Sequence, residues 1–288
     1  MGTQFKQMTI IGVGLIGGSL ARAARERGLV SRFVGAGRSM GNLEKAIELG
    51  VVDEIETDHA KAVKGSDIVV VCTPVRAAVE VVRNILPVME PGAILTDAGS
   101  VKGPFVKAVE AMELGSVRFV GGHPIAGTEH SGVEASFATL YENHRTILTP
   151  TSASDSGAVE ALRALWEGVG AFVDIIEPDR HDRIMADISH LPHLVAYALV
   201  NMALDGGAVP YAAGGFRDFT RIASSNPEMW REICLDNKET LLASLDAFEK
   251  SLAELRQAVE AEEEEGLEQA FRRAKEGRDN WLREKGWL

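Results

Sequence analysis

The sequence predicts an α/β domain with a parallel sheet, followed by an all-α domain. Short apolar runs alternate with helical patterns over residues 8–176, as expected for strands joined by crossover helices. The first of these runs ends in a glycine-rich turn. From Pro178 onward only helical patterns remain. We therefore place the domain boundary near Glu177, with residues 1–177 in the first domain and 178–288 in the second.

Length and composition indicate a globular protein of roughly two domains. The chain has 288 residues, 45% of them hydrophobic, which is enough for a full core. Its formal charge of -12 opposes binding to nucleic acid or to an anionic membrane. No run approaches the roughly 18 apolar residues of a membrane span, and the N-terminus lacks the layout of a signal peptide. We expect a cytoplasmic protein.

The glycine-rich turn has the arrangement that binds a dinucleotide. The apolar run 8–11 leads into G-V-G-L-I-G, and a helical pattern follows. In a Rossmann-type unit the glycines allow a tight turn and close backbone approach, while the helix N-terminus holds a pyrophosphate. The alternative is a tight turn packed on its own sheet. The residues expected to contact the cofactor are Gly12, Gly14, Leu15, Ile16 and Gly17.

The end of the second predicted strand bears on the choice of cofactor. An NAD-preferring site usually has an acidic residue here, about 20 residues beyond the glycines, which bonds the ribose 2′-hydroxyl. Gly37 takes that place, and Arg38 and Ser39 follow it with groups that suit a 2′-phosphate. The expected cofactor is therefore NAD or NADP. Alternatively, Arg38 stacks on the adenine or lies in solvent.

Polar residues recur where the next two strands end. Thr73 follows the apolar run 68–72 and is a candidate cofactor contact, or else an ordinary helix cap. Ser100 lies just beyond the predicted strand 93–96. Ligands of open α/β sheets bind at the carboxyl ends of the strands. We therefore expect both side chains at the ligand-binding edge.

His123 stands at the corresponding position of the following strand. The short apolar run 117–120 predicts that strand, so the imidazole is expected at its carboxyl end among small residues. A packed or capping histidine in a turn is the alternative. The same sheet is expected to continue through residues 146–149 and 171–176.

The helical domain begins with a long apolar pattern. Residues 184–204 are rich in Ile, Leu, Val, Ala and Met and predict one long buried helix. His190 and His193 lie one turn apart in it. They supply half of a metal site, but no matching acidic or cysteine pair accompanies them, so we expect no metal.

A cationic cluster follows in the segment 214–221, G-G-F-R-D-F-T-R. Arg221 offers a planar fork that suits a carboxylate, and Asp218 is placed to orient it. The alternative is a surface ion-pair cluster at a helix start. An anionic substrate needs local cations of this kind because the protein as a whole is acidic.

A continuous helical pattern runs from Pro227 to about Ala261. Its apolar residues follow alternating steps of three and four, a seam for another helix: Leu245, Phe248, Leu252, Leu255 and Val259. Such a helix spans about 50 Å at 1.5 Å per residue, long for one small domain. We therefore expect a homodimer through the C-terminal helices. A last amphipathic helix is predicted over residues 271–287.

Five motifs taken together resemble the prephenate dehydrogenase family, which includes the arogenate and cyclohexadienyl dehydrogenases. They are GVGLIGG at 12–18, DAGSVK at 97–102, GHPIAG at 122–127, SHLPH at 189–193 and GFRDFTR at 215–221. The match covers nearly the whole chain, in order. It implies oxidative decarboxylation of prephenate to 4-hydroxyphenylpyruvate, with hydride transfer to NAD or NADP. Arogenate is the alternative substrate.

The resemblance also implies roles for single residues. His123 would accept the proton of the ring hydroxyl, and Ser100 would link the substrate to the nicotinamide. Arg221 would grip a carboxylate, and His193 would contact the other end of the substrate. A charged gate and an aromatic lining of the pocket are implied for Glu129, Arg217, Asp218 and Trp230.

Two other functions fit parts of the sequence. Hydroxyacid and imine-reducing dehydrogenases combine a Rossmann domain with a helical domain, but they usually use a catalytic Lys in the helical part, and none is so placed here. A non-catalytic nucleotide sensor keeps the glycine loop but has no need of His123, Ser100 and Arg221 together.

Overall fold

The structure is a computed structural model that describes residues 4–128 and 130–286. The chain divides into two compact units, residues 1–238 and 239–288. The boundary proposed near Glu177 stays a prediction.

The first unit contains a six-stranded parallel sheet with helices on both faces. Its strands are β1 Phe5–Ile11, β2 Val30–Ala36, β3 Glu54–Glu56, β4 Ile68–Val71, β5 Ile94–Asp97 and β6 Arg118–Phe119. The helices between and after them are α1 Leu15–Glu26, α2 Met40–Glu48, α3 His59–Ala62, α4 Val75–Ile85, α5 Gly103–Glu110 and α6 Ser156–Gly168. The strand order is β3-β2-β1-β4-β5-β6. It reverses between β1 and β4, where ligands of such sheets bind.

The apolar strands explain why the sheet is buried. All four residues of β4 are buried, as expected for a central parallel strand covered on both faces. Side chains of α1, α2 and α6 pack in the core on one face, and those of α3, α4 and α5 pack in the core on the other. This burial fixes the carboxyl ends of β1, β4 and β5 relative to one another.

A second, three-stranded sheet replaces the expected continuation of the first, so that prediction is wrong. Its strands are β7 Gly121–Ile125, β8 Arg145–Thr149 and β9 Phe172–Ile175, in that order. β7 runs antiparallel to β8, and β8 runs parallel to β9. Only Val120 separates β6 from β7, too short a link for the crossover that another parallel strand requires. His123 accordingly lies within β7, in a segment that its Gly and Pro content suggests is a loop.

The expected long buried helix is a succession of shorter elements. They are α7 Pro178–Met185, a π-helical turn Ala186–His190, and α8 Leu191–Asp205. Within the described chain only Ala196 and Ala203 of α8 are fully buried, and Met202 is 64% exposed. The sequence of α8 is largely apolar, but most of its side chains are not buried within the described chain. Two further helices follow, α9 Gly214–Thr220 and α10 Pro227–Asp236.

The C-terminal helical pattern is broken once. After α10, Asn237 leaves the helical conformation before α11 Lys238–Glu260 begins. The second compact unit contains two helices. They are α11, apart from its first residue Lys238, and α12 Glu264–Glu284. The predicted last helix is thus present, although residue 287 lies outside the described residues. Across residues 4–128 and 130–286, no helix combines the length and the apolar character needed to cross a membrane.

Candidate active site

Three glycines at the junction of β1 and α1, of which Gly17 lies in the first turn of α1, differ in how closely they are packed. Gly12 has a φ of +98°, and a Cβ added there would lie 2.7 Å from the Cys72 carbonyl oxygen. A Cβ on Gly17 would lie 2.5 Å from Cγ2 of Ile10. By contrast, a Cβ on Gly14 meets no atom within 4 Å. Gly12 and Gly17 therefore hold the loop against the sheet, and Gly14 borders open space.

The loop fits a pyrophosphate. Gly14 is the N-cap of α1, and no side chain caps that helix end or adds an acid to its first turn. The N-H groups of the first turn, which include those of Leu15 and Ile16, are thus left for a ligand. Thr73 Oγ1, on the neighbouring strand end, is buried without a hydrogen-bond partner in the described chain. These residues fit the dinucleotide that the glycine pattern predicts.

The end of β2 lies open beside this loop. Arg38 and Ser39 are exposed, and Ser39 Oγ caps α2 by accepting from the Asn42 N-H at 3.4 Å. Asn42 Nδ2 donates to the Val13 carbonyl at 2.7 Å and so ties α2 to the glycine loop. A Cβ on Gly37 would meet only Leu43 Cδ2, at the ordinary contact distance of 3.7 Å.

Two glycines place His123 against the end of β5. A Cβ on Gly121 would lie 2.6 Å from Thr149 Oγ1, and one on Gly122 would lie 2.8 Å from the Asp97 carbonyl oxygen. The Gly122 N-H donates to Asp97 Oδ1 at 3.1 Å. Only residues without side chains allow β7 to pass this close, so the strand that carries His123 has one fixed position.

A buried ion pair completes this support. Lys102 is fully buried, and its Nζ contacts Asp97 Oδ2 and donates to the Gly122 carbonyl at 2.9 Å. Burial lowers the pKa of Lys102, and the Asp97 carboxylate opposes that shift. Asp97 Oδ2 also accepts from the Gly99 N-H at 2.8 Å. The pair therefore joins β7 to the loop that carries the half-buried Ser100.

His123 is the first member of a chain of three side chains. Its Nδ1 lies 2.8 Å from His181 Nε2, and His181 Nδ1 lies 2.8 Å from Asp182 Oδ1. Asp182 also accepts from the backbone N-H groups of Lys102 at 2.8 Å and Gly103 at 2.7 Å. α7 thereby caps the N-terminus of α5 and reaches the imidazole of His123.

The histidines near this point are held in the neutral form. Burial lowers the pKa of His123 well below 6.5, with smaller contributions of the same sign from His181, Lys102 and His190. Burial also lowers the pKa of His181, and it lowers that of His190 to about 4. A neutral imidazole is the form that accepts a proton. Among the described residues no cluster of three or more His, Cys, Asp or Glu is arranged to hold a metal ion.

His193 and Trp230 form an aromatic wall. Their rings stack with centroids 3.5 Å apart and planes 20° apart. His193 Nδ1 donates to the Ser189 carbonyl at 2.8 Å, which leaves Nε2 as the acceptor. Trp230 is buried against Val101, the residue after Ser100. Its Nε1-H is buried and has no acceptor among the described residues.

The cationic cluster lies on an exposed segment. Arg221 is exposed and close enough to His193 to lower the pKa of that histidine, although burial contributes more. Asp218 pairs with Arg217 at 3.0 Å, with side chains 71% and 80% exposed. The prediction that Asp218 orients Arg221 is therefore not met, because Asp218 pairs with Arg217 instead. Glu129 lies outside the described residues.

The residues predicted for catalysis and substrate binding and those predicted for cofactor binding lie in different parts of the fold. The structure connects Ser100, His123, His193 and Trp230 through the backbone and the buried contacts around Lys102 and Val101. Arg221 is close enough to His193 to lower the pKa of that histidine. The residues predicted to contact the cofactor lie at the ends of β1, β2 and β4 and in the first turn of α1.

Two family models together match almost the whole chain. The nucleotide-binding domain of prephenate dehydrogenase matches residues 20–175, and the dimerization domain of the same enzyme matches residues 177–273. The chain belongs to the prephenate dehydrogenase family. Its sheet-and-helix architecture is the one found in that family's solved structures.

Individual members of the prephenate dehydrogenase family are similar to this chain over most of their own length. The prephenate dehydrogenase of Bacillus subtilis is 38% identical over 96% of this chain and 76% of its own. A cyclohexadienyl dehydrogenase of Zymomonas mobilis is 34% identical over 96% of each chain. The crystal structure of the Aquifex aeolicus prephenate dehydrogenase with hydroxyphenyl propionate and NAD+ is 40% identical, with a TM-score of 0.91 over 96% of this chain and 98% of that one.

Four polar residues of the site escape prediction from the sequence. Asp97 and Lys102 belong to a motif of the prephenate dehydrogenase family, but nothing in their spacing shows that they pair beneath β7. His181 and Asp182 stand in a polar helix that looks like solvent-exposed surface. Only the fold, which packs α7 on the N-terminus of α5, brings them to His123.

Proposed function

We propose that this chain catalyses the oxidative decarboxylation of prephenate to 4-hydroxyphenylpyruvate, with NAD(P)+ as hydride acceptor. The observation that carries the proposal is the imidazole of His123, which burial keeps neutral in a chain that belongs to this family. A group of this kind serves as a general base at neutral pH.

The reaction needs one proton acceptor and an anion site. Prephenate is a cyclohexadienol that bears a ring carboxylate and a pyruvyl side chain. The bound dinucleotide supplies the hydride acceptor. His123 takes the hydroxyl proton while the carbinol carbon loses its hydride, the bond to the ring carboxylate breaks, and its electron pair completes the aromatic ring. Carbon dioxide is released as that bond breaks, and the proton then returns from His123 to the phenolate oxygen.

The remaining residues hold the dianion. Arg221 binds one carboxylate as a bidentate donor, and His193, fixed on Trp230, contacts the other end of the substrate. Ser100 connects the ring hydroxyl to the nicotinamide. Arg217 and Asp218 form the charged gate that the family resemblance implies. Local cations are necessary because the chain has a formal charge of -12.

The test is the formation of NAD(P)H, followed at 340 nm with purified protein. Prephenate with at least one of the two cofactors should give a rise in absorbance and stoichiometric 4-hydroxyphenylpyruvate. Absence of turnover with both prephenate and arogenate would refute the proposal.

Arogenate is the second candidate substrate, because one relative that is similar over its whole length is named a cyclohexadienyl dehydrogenase. The two substrates differ only in a keto or amino group on the side chain. Parallel kcat/KM values for prephenate and arogenate decide between a specific and a dual enzyme.

We propose NADP as the preferred cofactor. Arg38 is exposed at the end of β2, and no ion pair with it is found in the described chain. Position 37 has room for a side chain, so packing does not explain the absence of the acid that NAD sites use. An exposed guanidinium without a competing carboxylate suits a 2′-phosphate.

Two variants test this preference. Arg38→Ala should raise KM for NADP+ and leave KM for NAD+ nearly unchanged. Gly37→Asp should shift the ratio of kcat/KM values toward NAD+, because the new carboxylate accepts from the ribose and repels the phosphate. A wild-type enzyme that prefers NAD+ would contradict the assignment.

We propose that the protein is a homodimer through its C-terminal helices. The dimerization-domain family model covers this part of the chain. Apolar side chains of α11 and α12 are exposed in the single chain, among them Leu252 at 54%, Val259 at 62% and Phe271 at 60%. Sedimentation equilibrium should give twice the mass of 31.0 kDa, and a monomer at micromolar concentration would contradict the proposal.

A further inference from the structure

The catalytic role proposed for His123 depends on which ring nitrogen carries its proton. A neutral imidazole has one donor nitrogen and one acceptor nitrogen, and only the acceptor can take up the proton of a substrate hydroxyl. The hydrogen bond made by the other nitrogen fixes this choice. In this protein that bond is the 2.8 Å contact between His123 Nδ1 and His181 Nε2.

The direction of this bond follows from the far end of the chain. Backbone N-H groups can only donate, and two of them, from Lys102 and Gly103, point at the Asp182 carboxylate. The carboxylate is therefore the acceptor, and His181 Nδ1 donates to it at 2.8 Å. Because neutral His181 then has its lone pair on Nε2, this atom accepts from His123 Nδ1.

We infer that His181, fixed by Asp182, is a positioning residue that holds His123 in the tautomer with Nδ1 protonated and Nε2 bare. This inference rests on the proposed function of His123 as proton acceptor. His181 has no exposed surface and Asp182 is 3% exposed, so neither side chain is a candidate for direct substrate contact. Their effect on the reaction passes through the ring of His123.

The surroundings keep both rings in the protonation state that this chain requires. Burial lowers the pKa of His123 and of His181, and the nearby cation of Lys102 acts in the same direction on both. The ring centroids are 5.0 Å apart and the ring planes 66° apart. The two rings meet through Nε2 of His181 and Nδ1 of His123, which are 2.8 Å apart.

Two substitutions of His181 separate positioning from packing. His181→Leu fills the space but removes the acceptor, so kcat should fall about 10²-fold, less than the roughly 10⁴-fold loss known for a wrong tautomer in a serine protease triad. KM for prephenate should change little. His181→Gln keeps an acceptor near the position of Nε2 and should recover kcat to within about tenfold of wild type. Circular dichroism and thermal unfolding establish that each variant folds.

A spectroscopic measurement tests the tautomer without any turnover. The ¹⁵N shifts of labelled histidine distinguish a protonated ring nitrogen from a bare one, and His123→Asn identifies the His123 signals. Wild type and His181→Gln should show Nδ1 protonated, and His181→Leu should lose that preference. A bare Nδ1 in the wild type, or wild-type kcat in His181→Leu, would overturn the inference. The inference would also be overturned if His181→Gln had a kcat as low as that of His181→Leu while its His123 kept Nδ1 protonated. That result would indicate that His181 acts through packing.

The two proposals fail in different ways. If wild-type protein turns over neither prephenate nor arogenate but its His123 has Nδ1 protonated, the proposed function fails and the positioning by His181 stands. If turnover is present and Nε2 carries the proton, the function stands and the positioning fails.

Discussion

His123 and Arg221 serve the same proposed reaction from opposite physical environments. The imidazole lies on a strand whose glycines pack against Asp97 and Thr149, and a part-buried hydrogen bond to His181 holds its ring. The guanidinium lies on an exposed segment next to α9, where the described ion pair between Arg217 and Asp218 is also exposed. The proton acceptor is therefore preorganised, whereas the anion site is open to solvent.

This difference matches the two tasks. A general base must be neutral and fixed before the substrate arrives, and burial provides both conditions. A carboxylate clamp must admit a hydrated dianion, so it stays accessible and gains its full interaction energy only when the ligand displaces water. Loss of the first should thus affect kcat, and loss of the second should affect KM.

The largest expected effect comes from removing the base. His123→Asn should lower kcat by about 10²-fold or more, the usual contribution of a general base, with KM for prephenate nearly unchanged. The matched control is His144→Asn, since His144 is exposed and its ring hydrogen-bonds to the Glu142 carbonyl. Steady-state kinetics at saturating cofactor provide the measurement. A large rise in KM with kcat retained would place His123 in substrate binding.

The next largest effect should come from the clamp. Arg221→Ala removes charged hydrogen bonds worth about 1.5–3 kcal/mol each, so KM for prephenate should rise about tenfold or more while kcat changes less. Arg217→Ala is the matched comparison, because Arg217 already pairs with Asp218. It should have the smaller effect on KM. If Arg221→Ala leaves KM intact, Arg221 is not the carboxylate clamp.

The sequence predicts the nucleotide half of this contrast well. A glycine loop and a central strand are local patterns, so the chain near Gly12 and the buried β4 need no knowledge of distant contacts. The second sheet is different. β7 pairs with β8 some 20 residues later along the chain, and its G-G-H-P-I sequence has low strand propensity. Its strand conformation depends on the tertiary packing of Gly121 and Gly122.

The contacts that support His123, the proposed base, are even less visible in the sequence. His181 and His123 are 58 residues apart, and Lys102 pairs with Asp97 where a sequence pattern shows only a loop. Such contacts depend on which helix end meets which strand. Motif comparison identifies His123 as important, but the reason that its ring is held in place lies in α7.

The glycine loop repeats the contrast between buried and open positions. Gly17→Ala would force a methyl group to within 2.5 Å of Ile10 Cγ2, and overpacking of this kind typically costs about 1–3 kcal/mol. It should lower the unfolding temperature. Gly14→Ala meets open space, so it should leave that temperature unchanged but raise KM for the cofactor several-fold. Differential scanning fluorimetry with and without cofactor distinguishes the two. Equal destabilisation by both would refute the open cradle at Gly14.

The smallest expected effect concerns the pH profile, because kcat/KM should not change between pH 8 and about 6.5. The profile reports how far burial lowers the pKa of His123, the proposed base. An ordinary imidazole is half protonated near pH 6.5. Burial lowers the pKa of His123 well below that value, so the reactive neutral form stays dominant as pH falls through 6.5 and is lost only at lower pH. The profile of kcat/KM, which reports the free enzyme, should therefore be flat from pH 8 to about 6.5, with its acid limb displaced to lower pH.

The same profile separates the two environments. The pKa of half-buried His193 is also lowered, by burial and by Arg221, so removal of Arg221 should move any limb that His193 contributes toward higher pH. The limb set by His123 should not move, because Arg221 is absent from the groups that shift its pKa. A half-maximal kcat/KM near pH 6.5 in the wild type, with folding intact by circular dichroism, would show that His123 is solvated like an exposed imidazole.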